Sequence, residues 1–445
     1  MKPKEKILRP KKKIKGGAHL PHNKTTAELS SVVITPTEQV VIPMQQHIGA
    51  PCEPVVSVGD KVYVGTKIGD SEAFVSAPIH SSVSGEVAEI KPVKLASGAE
   101  VKAVIINSDG EMTPDPGLFP KEINTPDELA EAARQCGLVG LGGAGFPTHV
   151  KLRISPDKPI DTLIINGAEC EPYITADYRE CIENFDDVLE GIYLIKKVLN
   201  INNVVIGIEN NKPKAIQLLY DIASHKMDTD NSVHLMKLKS NYPQGAEKVL
   251  IYSATGRKLP LGKLPADIGC IVMNITSIAT LYRFIKTGMP LVSKRITVDG
   301  NAVSKPQNLI VPIGTPVSHI LSLCEAEGYE KVIAGGPMMG QSIYDTSVPV
   351  TKQNNAILAF KGEEALPKPT TDCIRCGRCQ KACPMGLAPR AVEEAIQLGA
   401  KADELEKLNA MYCIECGSCA FSCPAGRHLT ASMRLAKNTI RKAGK

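Results

Sequence analysis

Two stretches of the chain carry the same cysteine rhythm. Residues 373–384 read CIRCGRCQKACP and residues 413–424 read CIECGSCAFSCP. Each is C-x2-C-x2-C-x3-C-P, so three thiolates recur at three-residue spacing and a fourth follows beside a proline. Such spacing wraps three ligands around one face of an iron–sulfur cubane, and in two-cluster ferredoxins the fourth cysteine reaches the other cluster. The expected sets are therefore crossed: Cys373, Cys376, Cys379 and Cys423 on one [4Fe–4S] cluster, and Cys413, Cys416, Cys419 and Cys383 on the other. A structural zinc site takes its cysteines in pairs and has no use for a third at the next step. Between the runs, AVEEAIQLG and ADELEKLNAM have helical periodicity, which predicts an α-helical dicluster ferredoxin unit.

The remaining cysteines (Cys52, Cys136, Cys170, Cys181, Cys270, Cys324) are scattered without paired spacing, as in a reducing compartment. At 445 residues, 43% hydrophobic and 22% charged, the chain has the length for several domains and the composition for packed cores. Aromatic residues make up 4% with no Trp, which argues against a base-stacking platform and nucleic-acid binding. The net charge of +5 is concentrated in basic ends that read as solvated tails. The basic start never reaches an apolar stretch of the signal-peptide kind. The least polar window, GCIVMNITSIATLYRFI at 269–285, is interrupted by Asn274, Thr276, Ser277 and Arg283, so it reads as a buried strand and helix rather than a membrane span. Any membrane association is expected to come through partners.

The rest of the chain divides by pattern. Residues 1–30 form an irregular lead-in with Pro3, Pro10 and Pro21. Residues 31–115 alternate short β-branched runs with turn signals (GAPCEP, SVGD, YVGT, KIGD), the mark of a small all-β unit. Residues 116–289 alternate helix and strand. TPDELAEAARQ opens with Thr-Pro and an acidic first turn, TLIING (162–167) and NVVIGIE (203–209) read as strands, and KPKAIQLLYDIA is helical. This alternation predicts an α/β domain with a mostly parallel sheet. Residues 290–345 read as strands, a loop and one helix, a β-grasp-like unit. Residues 346–445 hold the linker KGEEALPKPTTD, the cysteine runs and a basic tail.

Inside the α/β stretch lies CGLVGLGGAGFPTHVKL, 136–152, with five glycines in nine positions. Gly140, Gly142 and Gly145 form a nominal G-x-G-x-x-G, but the dinucleotide fingerprint needs a strand in front, and here a helix precedes. Without side chains this backbone can still approach a flat or phosphorylated ligand closely. PTHVKL opens a helix whose first amides suit a phosphate, with Lys151 one turn in. His149 reads as a polar loop residue, and His19, His22 and His80 as structural.

These motifs resemble known families. PVVSVGDKVYVGTKIGD, followed by VSAPIHSSVSGEVAEI, resembles the barrel-sandwich hybrid of lipoyl and biotinyl domains. Those carry a modified lysine at a hairpin tip, whereas no lysine lies between Lys67 and Lys91 here, so a docking module is expected. GLVGLGGAGFPTHVKL resembles the flavin loop of the NADH-binding flavoprotein of respiratory complex I. NGAECEP (166–172), NYPQGAEKVL (241–250) and MNITS (273–277) resemble that family's later motifs in the same order. The resemblance implies FMN contacts from Gly140, Gly142, Gly143, Gly145, Lys151 (at the phosphate), Asn166, Glu169 and Asn274. It implies nicotinamide contacts from Phe146, Glu171 and Glu247. Ala168, Ala246 and Leu152 depart from that family's Asp, Glu and Trp, so flavin hydrogen bonding differs in detail.

The whole order of modules, with GGAHLPHNK near the start and GGPMMG at 335–340, resembles the RnfC family of Rnf electron-transport complexes over nearly the full chain. That resemblance implies a membrane-peripheral protein on the cytoplasmic face of a bacterial membrane, carrying FMN and two [4Fe–4S] clusters. It would exchange electrons with NADH and, indirectly, with ferredoxin, beside other membrane and iron–sulfur subunits of a sodium- or proton-translocating complex. No catalytic acid or base is expected, because the cofactors carry the chemistry. Two other readings are a soluble flavin and iron–sulfur reductase for a corrinoid or similar acceptor, and a flavin-free electron-transfer scaffold. The first is disfavoured by module order, since that family places its flavin domain ahead of the barrel-sandwich hybrid.

Overall fold

The structure is a computed structural model that describes residues 7–155, 157–226 and 232–444. Its centre is a parallel five-stranded sheet. In spatial order the strands are Ile7–Leu8, Val233–Leu238, Asn203–Glu209, Thr162–Gly167 and Cys270–Asn274. The strands are almost wholly apolar because both faces are covered, as parallel sheets require. Leu163 and Ile165 point into one core, shared with the helices Pro126–Gln135, Phe185–Val198 and Ile275–Thr287. Ile164 points into the other, against Leu250 and Ile251 of the helix Glu247–Thr255.

Local chemistry sets the helix ends. Thr125 caps Pro126–Gln135 in a reciprocal capping box with Glu128. Asn274 caps Ile275–Thr287, which stops at Gly288 with φ +81°, a left-handed turn that glycine adopts without strain.

The expected all-β unit consists of two antiparallel sheets around a core that includes Ile42, Ile68, Ile79, Val87 and Ile106. One sheet contains Gln39–Pro43, Glu100–Ser108, Gly85–Lys94 and Lys61–Val62; the other contains Glu53–Pro54, Lys67–Asp70 and Ile79–His80. The expected start of this unit at 31 is corrected: Val32–Val33 instead pairs in parallel with Gln307–Pro312, on the edge of a separate six-stranded sheet. That sheet also outruns its expected limit at 345. Ala356–Phe360 is an interior strand of it, between Lys331–Ala334 and Ser293–Asp299, because its five residues are all buried and need cover on both sides. The dicluster unit closes the chain, with Leu387, Val392, Leu405, Met433, Ala436 and Ile440 as its core.

The lead-in is more ordered than its prolines suggest. After Ile7–Leu8 joins the parallel sheet, Lys11 N donates to Ser253 O, Gly17 N donates to Ala382 O, and Ala18 bridges Tyr242. Further on, Tyr173 N donates to His22 O, and Thr26 and Thr175 join side-chain hydroxyls. One strap thus touches the α/β domain, the dicluster unit and, through Thr26 O accepting from Asn308, the six-stranded sheet.

The barrel unit is fixed to the α/β domain by a buried cation. Lys352 is 1% exposed, and its ammonium donates to Pro78 O and Gly137 O, both at 2.7 Å. Burial pushes its pKa down to about 8. Next to it His80 is buried with its Nδ1 unpartnered, and burial, then Lys352, lowers its pKa to about 3. A histidine held below its unfolded value of 6.5 stabilises the fold above that pH and loses this contribution as pH falls toward 3. Melting temperatures recorded from pH 7 to 4 should therefore fall less steeply for His80→Leu than for the parent, by an equivalent of about 3 kcal/mol at the acid end; equal slopes would remove His80 from the acid sensitivity of this junction.

Candidate functional site

The glycine loop and the carboxyl ends of the parallel strands meet at one edge of the sheet, where open α/β sheets place their ligands. Asn166 and Asn274 stand opposite each other in register at the ends of neighbouring strands. Asn166 Nδ2 donates to Gly245 O at 2.9 Å, and its Oδ1 accepts from Ala168 N. Asn274 Oδ1 accepts from Thr276 N and Ser277 N, while its Nδ2 donates to Asp177 at 2.7 Å. Asp177 also accepts from the Thr276 hydroxyl, and its own backbone N donates to Glu169 at 2.6 Å. Sequence reasoning missed Asp177; nothing in its surroundings, ITADYRE, marks it.

The glycines divide by task. Gly142 faces Asn274 so closely that a Cβ there would lie 2.7 Å from Asn274 Nδ2. Gly143 opens onto free space, and residues 142–144 are exposed. At Gly145 a Cβ would strike Gln353, and φ is +67°. Gly140 N donates to Phe146 O, which closes the loop. The helix after it is only Thr148–Leu152, so its dipole is weak and a phosphate there would depend on Lys151. Lys151 Nζ now contacts Glu247 Oε2 at 3.2 Å and Val272 O at 3.3 Å. Phe146 is half-buried beside them in sequence. His149, expected in a loop, is buried within this short helix, its Nε2 donating to Phe74 O on the barrel unit.

The two acids of NGAECEP are enclosed. Burial raises the Glu169 carboxyl well above the usual range, with Lys24 and Lys212 opposing, and its Oε2 has no partner among the described residues. Lys24, from the strap, donates to the carbonyls of Glu169, Glu171 and Ile174. Lys212 donates to Ala168 O at 2.6 Å. Both carboxylate oxygens of Glu171 are engaged, by Met338 N at 3.1 Å and Met339 N at 3.0 Å, with the Tyr242 hydroxyl at 3.4 Å. Glu171 therefore ties the sheet edge to the GGPMMG loop. A backbone that a side chain would block, a loop tip open to space, two strand-end amides and a lysine form a set that fits a flavin mononucleotide.

The second cysteine run lies against this region. Cys383 joins Cys413, Cys416 and Cys419 around one cavity, together with Met385, Leu387 and Met433. Cys379 lies within electrostatic reach of Cys423, and Cys373 within reach of Arg390. Among the described residues no three His, Cys, Asp or Glu side chains converge as a single-ion site would need. Here four sulfurs surround a shared space, the arrangement a multi-iron core spans. Beside Cys416, Gly417 approaches Met338 O in the loop whose amides hold Glu171, and Glu171 also accepts from the Tyr242 hydroxyl.

Residues 133–283 match the family described as the Nuo51 FMN-binding domain, residues 12–111 the RnfC barrel-sandwich hybrid domain, and residues 367–428 a 4Fe-4S dicluster domain. Among curated proteins, the chain is 43% identical over 432 residues, 96% of each chain, to the C-subunit of the Na+-translocating ferredoxin:NAD+ oxidoreductase complex of Acetobacterium woodii. It is 41% identical, over 97% of this chain and 95% of the relative, to the C-subunit of the proton-translocating complex of Clostridium ljungdahlii. It is 37% identical to the C-subunit of an ion-translocating oxidoreductase complex of Rhodobacter capsulatus, over 87% of this chain and 75% of the relative. Among solved structures, a chain of an NAD+-reducing [NiFe]-hydrogenase in its H2-reduced state aligns with a TM-score of 0.50 at 18% identity, covering 72% of this chain and 67% of that one, a likeness of fold alone.

Burial holds the Glu171 carboxyl up at about 7, against donation from Met338 and Met339. A carboxyl raised above its unfolded value of 4.5 stabilises the fold below that pH and loses this contribution as pH rises through about 7. Glu171→Gln, which cannot ionise, should flatten that window: from pH 4.5 to 7.5 the parent should lose up to about 3 kcal/mol more stability than the variant in thermal melts, and parallel curves would show the carboxyl to be ordinary.

Proposed function

The chain belongs to the RnfC family of ion-translocating ferredoxin:NAD+ oxidoreductase complexes, and from that premise we propose that it is the NADH-binding flavin and iron–sulfur component of such a complex. Its partners are the other subunits of the complex, and it passes electrons between NADH and ferredoxin. FMN supplies the exchange between a hydride's electron pair and single electrons, and the two [4Fe–4S] clusters carry those electrons onward. One observation carries this reading: Gly417, in the lining of the cavity of Cys383, Cys413, Cys416 and Cys419, packs against Met338 O in the 335–340 loop, whose Met338 and Met339 amides are held by Glu171 at the edge of the parallel sheet. Redox centres held at both places would be neighbours within one chain.

We assign the residues as follows. Gly142 and Gly143 give the flavin a bare backbone, with Gly140 and Gly145 shaping the loop on either side. Asn166 and Asn274 offer amides at the strand ends, and Glu169 fixes Asp177, which fixes Asn274. Lys151 neutralises the phosphate, and Glu247 holds its ammonium in place. Phe146 and Glu247 face the nicotinamide, with Glu171 acting through the loop that it anchors. The cluster ligands are the crossed sets, which the shared cavity around Cys383 supports. The six-stranded sheet with the helix Val317–Leu323 we assign as a β-grasp unit of the SLBB kind, and the barrel-sandwich hybrid as a docking module.

No helix among the described residues is long and apolar enough to cross a membrane, and we place the chain peripherally on the cytoplasmic face. One relative is named for sodium and another for protons at nearly equal identity. That is expected of a protein outside the ion path.

Protein purified anaerobically should contain FMN that NADH bleaches, followed by iron–sulfur signals in electron paramagnetic resonance; absence of FMN, or FMN inert to NADH, would sink the proposal. Lys151→Ala should lower retained flavin about tenfold or more. Cys383→Ser and Cys416→Ser should disturb the same cluster signal while Cys376→Ser disturbs the other, and loss of the Cys376 signal in Cys383→Ser would refute the crossed sets.

A further inference from the structure

The two cysteine runs share a backbone but not an environment. Arg375 and its counterpart Glu415 have φ of +54° and +57°, and Gly377 and Gly417 have φ of +71° and +79°. Cys416 is buried, and a Cβ on Gly417 would lie 3.0 Å from Met338 O in the loop that Glu171 anchors. Residues Ile374 to Arg378 are all exposed, Ile374 at 69%, and a Cβ on Gly377 would meet nothing within 4 Å. So one loop of a repeated pair is covered by the 335–340 loop of the six-stranded sheet and its twin is bare.

The charges differ as well. In the covered loop Glu415 is neutralised within the unit by Arg434 and Lys437. The bare loop carries Arg375 and Arg378, and among the described residues neither is in an ion pair. An exposed apolar residue beside two unpaired cations, interleaved in sequence with the cluster ligands Cys373, Cys376 and Cys379, has the composition of a transient electron-transfer contact, where charge steers the encounter and a small apolar spot seats it.

We infer that the loop Ile374–Arg378 is the docking surface for a second redox protein, one that presents acidic residues around its own flavin or metal cluster. The run at 413–424 faces inward to the loop that Glu171 of the flavin domain anchors, and the run at 373–384 faces outward to the partner. The transfer moves one electron and no atom: one centre is oxidised by one electron as the other is reduced. This rests on the functional reading above, and its test separates the two.

A photoreactive benzoylphenylalanine placed at Ile374, in the whole complex within cells, should crosslink on irradiation to a flavin- or cluster-bearing protein, through a peptide rich in Asp and Glu identified by mass spectrometry. The same group at Leu398, exposed elsewhere in the dicluster unit, should not. Crosslinking only to lipid, to a second copy of the chain or to proteins without a redox centre would overturn the inference, as would equal labelling from position 398. In the purified complex, Arg375→Glu with Arg378→Glu should leave NADH bleaching of the chain's own FMN unchanged while slowing reduction of the rest of the complex about tenfold. Unchanged onward reduction would overturn the docking role. Failure of NADH to bleach the parent protein would sink the functional reading instead, and the crosslink stands or falls without it.

Discussion

A short helix, Ala176–Glu183, holds the candidate site together by binding in two directions. At its start Asp177 accepts from Asn274 and Thr276, and its backbone N donates to Glu169. One turn on, Glu180 is gripped by Arg283 at 2.5 Å and Arg295 at 3.0 Å. Burial alone would raise the Glu180 carboxyl, yet the two guanidiniums outweigh it and hold it low. Arg283 belongs to the helix that Asn274 caps, and Arg295 to the six-stranded sheet. One acidic helix thereby sets the angle between sheet edge, capped helix and neighbouring domain. Removing either partner of such a buried pair leaves a charge uncompensated, so geometry here is specified by the cost of its alternatives.

Cations bound to main-chain carbonyls recur around this frame. Lys24 grips three carbonyls near NGAECEP, Lys212 a fourth, and Lys352 two more at the barrel junction. Each ammonium draws irregular backbone segments inward, where no strand or helix satisfies their acceptors. One of these carbonyls, Gly137 O, opens the glycine-loop stretch and is tied through Lys352 to Pro78 of the barrel unit.

Much of this was legible in the sequence, for identifiable reasons. The strands TLIING and NVVIGIE and the helix that opens at Thr125-Pro126 with an acidic first turn are local signals, and the structure places each where the pattern put it. Partners distant in sequence were not legible. Val32–Val33 looks like any β-branched pair, and only a three-dimensional neighbour assigns it to the six-stranded sheet. Ala356–Phe360 lay beyond a boundary drawn by composition, though its uninterrupted apolar run was a usable sign of an interior strand. The lead-in read as irregular because a strap that bonds through its backbone needs no periodicity. Glu171 was expected to face a ligand; its engagement with Met338 and Met339 depends on a loop far along the chain.

The strap has a bearing on how fast charge can move. Lipoyl and biotinyl domains carry their cargo by swinging, and their throughput depends on how often an arm arrives. Here the barrel has no lysine to swing, and the dicluster unit is laced to the sheet by Gly17 with Ala382 and by Ala18 with Tyr242. A gap fixed by main-chain bonds leaves tunnelling distance, rather than diffusion of a domain, to govern the internal hop. Such a hop would be indifferent to solvent viscosity.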